Sequence, residues 1–107
     1  MKNENKFQSQ LKTEILKRFP GAMVTKLDAR YIQGIPDLLI LYKNKWATLE
    51  CKRSASESHR PNQDLYVEKM NKMSFSSFIY PENKEDVLNE MEQAFKARKH
   101  SRDVRSK

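Results

Sequence analysis

The chain has 107 residues, of which 37% are hydrophobic and 33% charged, so it can bury a modest core, and wholesale disorder is excluded. Its single cysteine, Cys51, excludes an internal disulfide and a cysteine-based zinc site, and no stretch approaches the roughly 18 apolar residues of a membrane helix. The net charge of +7 suits an anionic partner without identifying one, and the polar start lacks the apolar segment of a signal peptide. We therefore expect one soluble, intracellular domain.

The first predicted element is an amphipathic helix that ends at the Pro-Gly pair at 20–21. Its inward stripe, at helical spacing, consists of Glu4, Phe7, Leu11 and Ile15. A first strand is predicted over residues 22–27 and is followed by a polar loop.

Two further strands are predicted around a turn at Lys43-Asn44. Residues 37–42 are apolar on both faces, which indicates a central strand that is covered on both sides. Residues 46–52 form the strand after the turn. The turn therefore predicts a hairpin of two neighbouring strands.

A serine-rich loop over residues 53–62 leads into a second helix, which we expect to begin at Pro61 and to end near Met73. A short strand over residues 75–80 and a last helix from Glu82 to about Lys99 follow. The order of helix, three strands, helix, strand and helix predicts a single α/β domain with a mixed central sheet flanked by helices.

The basic excess is concentrated at the C-terminus. Residues 95–107 carry a net charge of +5, and the preceding 94 residues carry only +2. Such a segment suits a phosphate backbone, because each neutralised phosphate releases counterions. A solvated terminus without a partner is an equally open interpretation.

The strand over residues 46–52 carries charged side chains on one face. Alternation places Glu50 and Lys52 on the same face and turns Cys51, between them, into the core as a small hydrophobic residue. A carboxylate and an ammonium group therefore stand two residues apart on the face opposite Cys51.

The hairpin joins Asp37 to this pair. With a two-residue loop, Tyr42 faces Lys45, and the same register places Asp37 opposite Glu50 with their Cβ atoms about 5 Å apart. Two carboxylates this close repel each other unless a cation lies between them, and hard oxygen ligands suit Mg²⁺, with Mn²⁺ as a substitute. Lys52 would then stand beside a metal-bound water or a substrate phosphate. This set of residues fits phosphodiester hydrolysis.

The alternative is a surface hairpin with an incidental ion pair between common charged residues. Two features count against it. Asp37 begins an otherwise apolar strand, where an unpaired carboxylate is costly, and Gly34 and Pro36 restrict the backbone just before it.

Pro36-Asp37 followed by Glu50-Cys51-Lys52 resembles the PD-(D/E)xK nuclease superfamily, and the order of predicted elements matches that superfamily over residues 4–95. The chain is most similar to the virus-type replication-repair nuclease branch (VRR-NUC) and to Holliday-junction resolvases. Members of that branch share a Gly-x-Pro-Asp segment, a Glu-x-Lys strand and a glutamine at the following helix. The resemblance implies a restriction-endonuclease-like domain over residues 1–98, with 99–107 as a basic, flexible tail.

The resemblance implies a role for each matching residue. Asp37 and Glu50 match the metal-binding acids, the backbone carbonyl of Cys51 matches a metal ligand, and Lys52 matches the catalytic lysine. Gln63 matches the branch's glutamine, which would hydrogen-bond a metal-bound water or a phosphate; an ordinary residue at a helix start is the alternative.

The family often adds an acid from the first helix, and Glu4 fits best because it continues the inward stripe. Glu14 is the substitute, and a first-turn glutamate favoured by the helix dipole is the alternative for Glu4. Candidate DNA contacts are Lys26, Arg30, Arg53, Arg60 and Tyr66, with a solvated surface as the alternative for the basic residues.

These residues together predict a Mg²⁺-dependent endonuclease that cuts DNA, with branched DNA such as a Holliday junction as the expected substrate. A restriction-type or nicking endonuclease and a non-catalytic nucleic-acid-binding protein on the same fold stay open as alternatives. The expected partner is DNA and not a membrane, a homodimer is left open, and the expected location is the cytoplasm, in association with a nucleoid or a virus.

Overall fold

The computed structural model describes residues 2–97, and it describes side chains from residue 5 onward. These residues form three helices and four strands in the predicted order, with a 3₁₀ turn at Pro81–Asn83. The elements are α1 (Lys2–Arg18), β1 (Met23–Lys26), β2 (Leu38–Tyr42), β3 (Lys45–Cys51), α2 (Gln63–Met73), β4 (Phe75–Ile79) and α3 (Lys84–Lys96). Within residues 2–97, no helix is long and apolar enough to cross a membrane.

The four strands form one mixed sheet in the order β1-β2-β3-β4. β1 pairs with β2 and β2 with β3 in antiparallel fashion, whereas β3 and β4 are parallel and are connected through α2. A parallel connection needs a crossover, and the loop and helix between Cys51 and Phe75 supply it. The prediction of an α/β fold with a mixed sheet is confirmed for the described part of the chain.

The hairpin between β2 and β3 has the predicted two-residue loop. Tyr42 pairs with Lys45 and Leu38 pairs with Leu49, and Lys43 takes the positive φ of 57° that a tight turn of this kind requires. The next facing positions beyond the ladder are Asp37 and Glu50. The register predicted from the turn is therefore confirmed.

The main core lies between one face of the sheet and the helices α1 and α3. Cys51 is buried within it, as predicted. The helices contribute Phe7, Leu11, Ile15, Phe19, Val87, Leu88, Met91 and Phe95, and the strands contribute Leu38, Ile40, Ala47, Leu49, Cys51 and Ile79.

Helix α2 covers the other face of the sheet, but only over β3 and β4. The prediction that β2 is covered on both sides is wrong in part, because Leu41 is 39% exposed. Leu41 faces away from α1 and α3, and no described helix packs over the half of that face formed by β1 and β2. The short span of α2 leaves this part of the sheet open.

Several element boundaries differ from prediction by one to three residues. β2 begins at Leu38, one residue after Asp37, and α2 begins at Gln63 rather than at Pro61. The helix starts later because Asn62 adopts a left-handed conformation, with φ of 71°, that a right-handed helix cannot include. Gln63 thereby becomes the first residue of α2.

Candidate active site

The end of the hairpin brings Asp37 and Glu50 side by side. The Asp37 Oδ2 atom accepts a hydrogen bond from the Cys51 backbone N–H at 2.9 Å, and Asp37 and Glu50 stand at facing positions of the hairpin. The two acids therefore occupy one site on one face of the sheet.

The environment of Asp37 opposes its ionisation. Burial raises the pKa of its carboxyl above the ordinary value, against the opposing effects of the Cys51 N–H, of Glu50 and of the positive charges of Lys52 and Lys26. Burial raises the pKa of an acid because a charged carboxylate loses hydration that the protein does not fully replace. The site therefore holds negative charge poorly by itself.

Lys52 lies beside these acids with only 3% of its surface exposed. Its backbone N–H donates to the Ile79 carbonyl at 2.9 Å, so the chain still follows β4 at this point and the side chain stays on the face of Glu50. The Lys52 ammonium donates to Gln63 Oε1 at 2.7 Å and to the Ser58 carbonyl at 3.1 Å. A buried ammonium is thus held in place by two oxygen acceptors.

Gln63 connects the lysine to the acid. Its Nε2 donates to Glu50 Oε2 at 2.8 Å, and its Oε1 accepts both from Lys52 and from the Arg60 backbone N–H at 2.8 Å. The side chain is 9% exposed. Gln63 therefore fixes the position of Glu50 relative to Lys52, a role that the sequence did not reveal.

Two loops meet at the start of α2. Gly34, in the loop before β2, has a φ of +93°, and a Cβ atom on it would lie 2.5 Å from the Cβ of Asn62. Only glycine allows this approach, because any side chain would overlap with Asn62. The contact holds the segment before Asp37 against the residue before Gln63.

The loop between β3 and α2 is anchored by His59. Its ring stacks on Phe78 of β4, with centroids 4.0 Å apart, and its Nδ1 lies 2.7 Å from the Asp64 carboxylate. His59 stands between Ser58 and Arg60, whose backbone groups bond to Lys52 and Gln63. The anchor therefore helps to keep those backbone groups in place.

A cavity of about 380 Å³ is lined by Asp37, Glu50, Lys52 and Gln63, among others. Its inner wall carries Asp37, Glu50 and Lys52, and its rim carries Arg30 and Arg60. Acids, an ammonium and guanidinium groups around one cavity can bind a divalent cation and a phosphate together.

The oxygen ligands in this cavity fit a hard divalent cation. In an extended strand, the N–H and C=O of one residue point toward the same neighbouring strand, so the Cys51 carbonyl faces the side on which its N–H meets Asp37. Asp37, Glu50 and this carbonyl would form the donor set, and a cation among them would offset the repulsion between the two carboxylates. Among residues 2–97 there is no cluster of three or more His, Cys, Asp or Glu residues, so water and substrate would have to supply the other ligands.

Of the residues predicted to contact DNA, only Arg30 and Arg60 line the cavity. Arg30 is 92% exposed and pairs with Asp28 at 3.1 Å, and Arg60 is also exposed at the rim. Arg53 pairs with Glu57, Tyr66 is half-buried, and neither lines the cavity. Lys26, the last residue of β1, lines a separate cavity beside α1.

Glu14, the substitute for an acid from the first helix, is misplaced for this role. Its carboxylate pairs with Lys84 at 2.9 Å, and that ion pair joins α1 to the start of α3. It does not line the cavity, because α1 turns this position toward α3. The side chain of Glu4 lies outside the described residues, as do Arg98, Lys99 and the predicted tail.

Glu57 is a residue of this cavity that the sequence did not reveal. Its Oε2 lies 4.0 Å from the Lys52 ammonium, and its Oε1 accepts from the Arg53 backbone N–H at 2.6 Å. Burial works against ionisation, but the Arg53 N–H and the charge of Lys52 outweigh it and lower the pKa of Glu57. The sequence signal was one acid in a serine-rich loop, which does not specify where the side chain points.

Comparison of this chain with protein-family models, with curated proteins and with solved structures found no match.

Proposed function

We propose that this protein is a divalent-metal-dependent DNA endonuclease of the PD-(D/E)xK superfamily. The observation that carries the proposal is the convergence of Asp37, Glu50 and Lys52 in one cavity, with Gln63 bonded to both Glu50 and Lys52. The mixed sheet, with the acids at the end of its central hairpin, supports a restriction-endonuclease-like fold.

Each residue has a distinct task in the proposed reaction. Asp37, Glu50 and the Cys51 carbonyl would hold Mg²⁺, which when bound activates water and neutralises charge on the phosphate. Lys52 would stabilise the negative charge that develops on the phosphate oxygens, because a fixed ammonium that is shielded from solvent interacts strongly with such charge. Gln63 would keep Lys52 and Glu50 at a constant separation while substrate enters.

The arginines at the rim would position the DNA. Arg30 and Arg60 are exposed beside the cavity, where their guanidinium groups can contact phosphates on either side of the bond that is cut. Phosphate contacts recognise the shape of the backbone rather than its sequence. The proposed preference for branched DNA rests on the resemblance to Holliday-junction resolvases. It also rests on the phosphate contacts at the rim, which do not depend on base sequence.

The proposal is tested by comparing supercoiled plasmid, linear duplex and a four-way junction in Mg²⁺, in Mn²⁺ and in EDTA. We expect metal-dependent cutting that favours the junction and that is lost in Glu50→Gln and Lys52→Met. Glu90→Gln, an exposed change on α3, is the matched control and should cut as the wild type does. Binding of DNA without cutting by the wild type in any metal would contradict the nuclease and favour a binding protein.

A further inference from the structure

A second cavity, of about 450 Å³, lies between α1 and the edge strand β1. Gln8 and Leu38, both buried, form its inner wall. Two exposed lysines, Lys12 from α1 and Lys26 from β1, also line it. The cavity thus combines an amide at its inner wall with two positive charges toward solvent.

Gln8 is a polar residue on the side of α1 that faces the core, where apolar residues are the rule. The residue is only 9% exposed, and its buried Oε1 atom has no hydrogen-bond partner among the described residues. A buried polar atom without a partner destabilises a protein, so such atoms are rare unless a ligand or water completes them. Rotation of the amide can turn either its oxygen or its nitrogen toward the cavity.

The chemistry of the lining restricts what can bind. A metal ion is disfavoured, because Lys12 and Lys26 would repel it. A phosphodiester alone would satisfy the lysines, but it has no N–H or O–H group to donate to Gln8. A nucleotide meets both demands, since its phosphate suits the ammonium groups and its base edge offers a donor beside an acceptor, the pattern that a glutamine amide pairs with.

The cavity lies at the same end of β2 as the candidate active site, but on the face of the sheet that α1 covers. Lys26 pairs in register with Leu38, the residue that follows Asp37, and the Leu27 backbone N–H donates to the Asp37 carbonyl at 2.8 Å. A DNA strand that passes this end of β2 can therefore place one phosphate in the active site and a neighbouring nucleotide in this cavity.

We propose that the cavity between α1 and β1 binds one nucleotide of the DNA strand beside the phosphate that is cut. Gln8 contacts the edge of the base, and Lys12 and Lys26 contact the phosphate. This inference rests on the proposed nuclease function for its link to cleavage, but its binding step can be measured without any cutting.

The decisive variant is Gln8→Leu, which keeps the volume of the side chain and removes both polar atoms. If the amide reads a base, this variant binds single-stranded DNA about tenfold more weakly and loses any difference in affinity among four homo-oligonucleotides, one for each base. Its midpoint of thermal unfolding should rise, because an unpaired buried oxygen is gone. Weaker binding by a more stable protein cannot result from misfolding.

The phosphate contact is tested with Lys12→Gln, and Lys17→Gln on the same helix is the matched control. Fluorescence anisotropy in Ca²⁺ and in EDTA, over a series of salt concentrations, should show weaker binding and a salt slope smaller by about one for Lys12→Gln only. Lys17 lies outside the cavity and should behave as the wild type does.

The outcomes separate the two proposals. A wild type that binds DNA but does not cut it would overturn the proposed nuclease function. The Gln8 and Lys12 variants would still test whether the cavity binds a nucleotide. Unchanged affinity and base preference in Gln8→Leu would overturn the nucleotide site, even if Lys12→Gln bound more weakly. A wild type that binds no DNA would overturn both.

Discussion

Gln63 accepts a hydrogen bond from the Lys52 ammonium at 2.7 Å, and through its other end it bonds to Glu50. A neutral amide thus stands between an ammonium and a carboxylate that are both buried. This arrangement keeps the two charged groups apart and gives each a hydrogen-bond partner. Lys52 therefore does not form a direct ion pair with Glu50, the acid that would hold the metal.

Replacing Gln63 with leucine should harm both stability and activity. The change leaves buried charged groups without one partner each, which we expect to reduce the free energy of unfolding by about 1–3 kcal/mol. Cleavage should fall by about 10- to 100-fold, the typical effect of removing a group that orients a metal ligand. Urea denaturation and junction cleavage measure the two effects, and Gln93→Ala on the exposed side of α3 should change neither.

The sequence allowed Gln63 to be placed near the site. It did not reveal that the amide of Gln63 bridges Lys52 and Glu50. The register of the hairpin follows from two turn residues, so the meeting of Asp37 with Glu50 was predictable from spacing alone. The contacts of Gln63 and Glu57 depend on the course of the loop over residues 53–62, which has no periodicity to interpret. The exposure of Leu41 depends likewise on how far α2 reaches across the sheet.

Replacing Asp37 with asparagine should abolish cleavage and yet stabilise the metal-free protein at neutral pH. Burial raises the pKa of Asp37, so the folded state binds its proton more tightly than the unfolded state does. The stability that this proton gives is fully present below the pKa of the unfolded chain, about 3.9, and is lost as the pH rises through the raised pKa of the folded state. Asparagine stays neutral throughout and avoids that loss.

Thermal unfolding as a function of pH tests this expectation. Wild type and Asp37→Asn should have similar midpoints near the pKa of an unfolded aspartate, and the advantage of the variant should grow as the pH rises. At neutral pH, Mg²⁺ should raise the midpoint of the wild type only, because a ligand stabilises the state that binds it. A constant difference between the two proteins across the pH range would contradict the titration of Asp37.

Two glycines form a matched pair for testing the contact between the loops. Gly34 and Gly21 have nearly equal positive φ angles of 93° and 92°, but a Cβ on Gly21 would meet nothing within 4 Å. Gly21→Ala should therefore cost only the backbone term of about 1–2 kcal/mol. Gly34→Ala should cost more and should also reduce cleavage, because its Cβ would displace Asn62, which precedes Gln63. Equal losses of stability in the two variants, measured in urea, would show that the close approach has no consequence.

The basic C-terminal segment offers a test of DNA binding that is independent of the cavity. Ending the chain after Arg98 removes a net charge of +3, and if these residues contact phosphates, the slope of log affinity against log salt should fall by up to about 3 units. Anisotropy with a labelled junction in EDTA measures the slope without cleavage. A full-length variant separates charge from chain length by replacing four basic residues with glutamine: Lys99, Arg102, Arg105 and Lys107. The full-length variant loses a charge of +4 because it keeps Asp103, so its slope should fall at least as far as that of the shortened chain. An unchanged slope in either protein would mean that the segment is a solvated terminus.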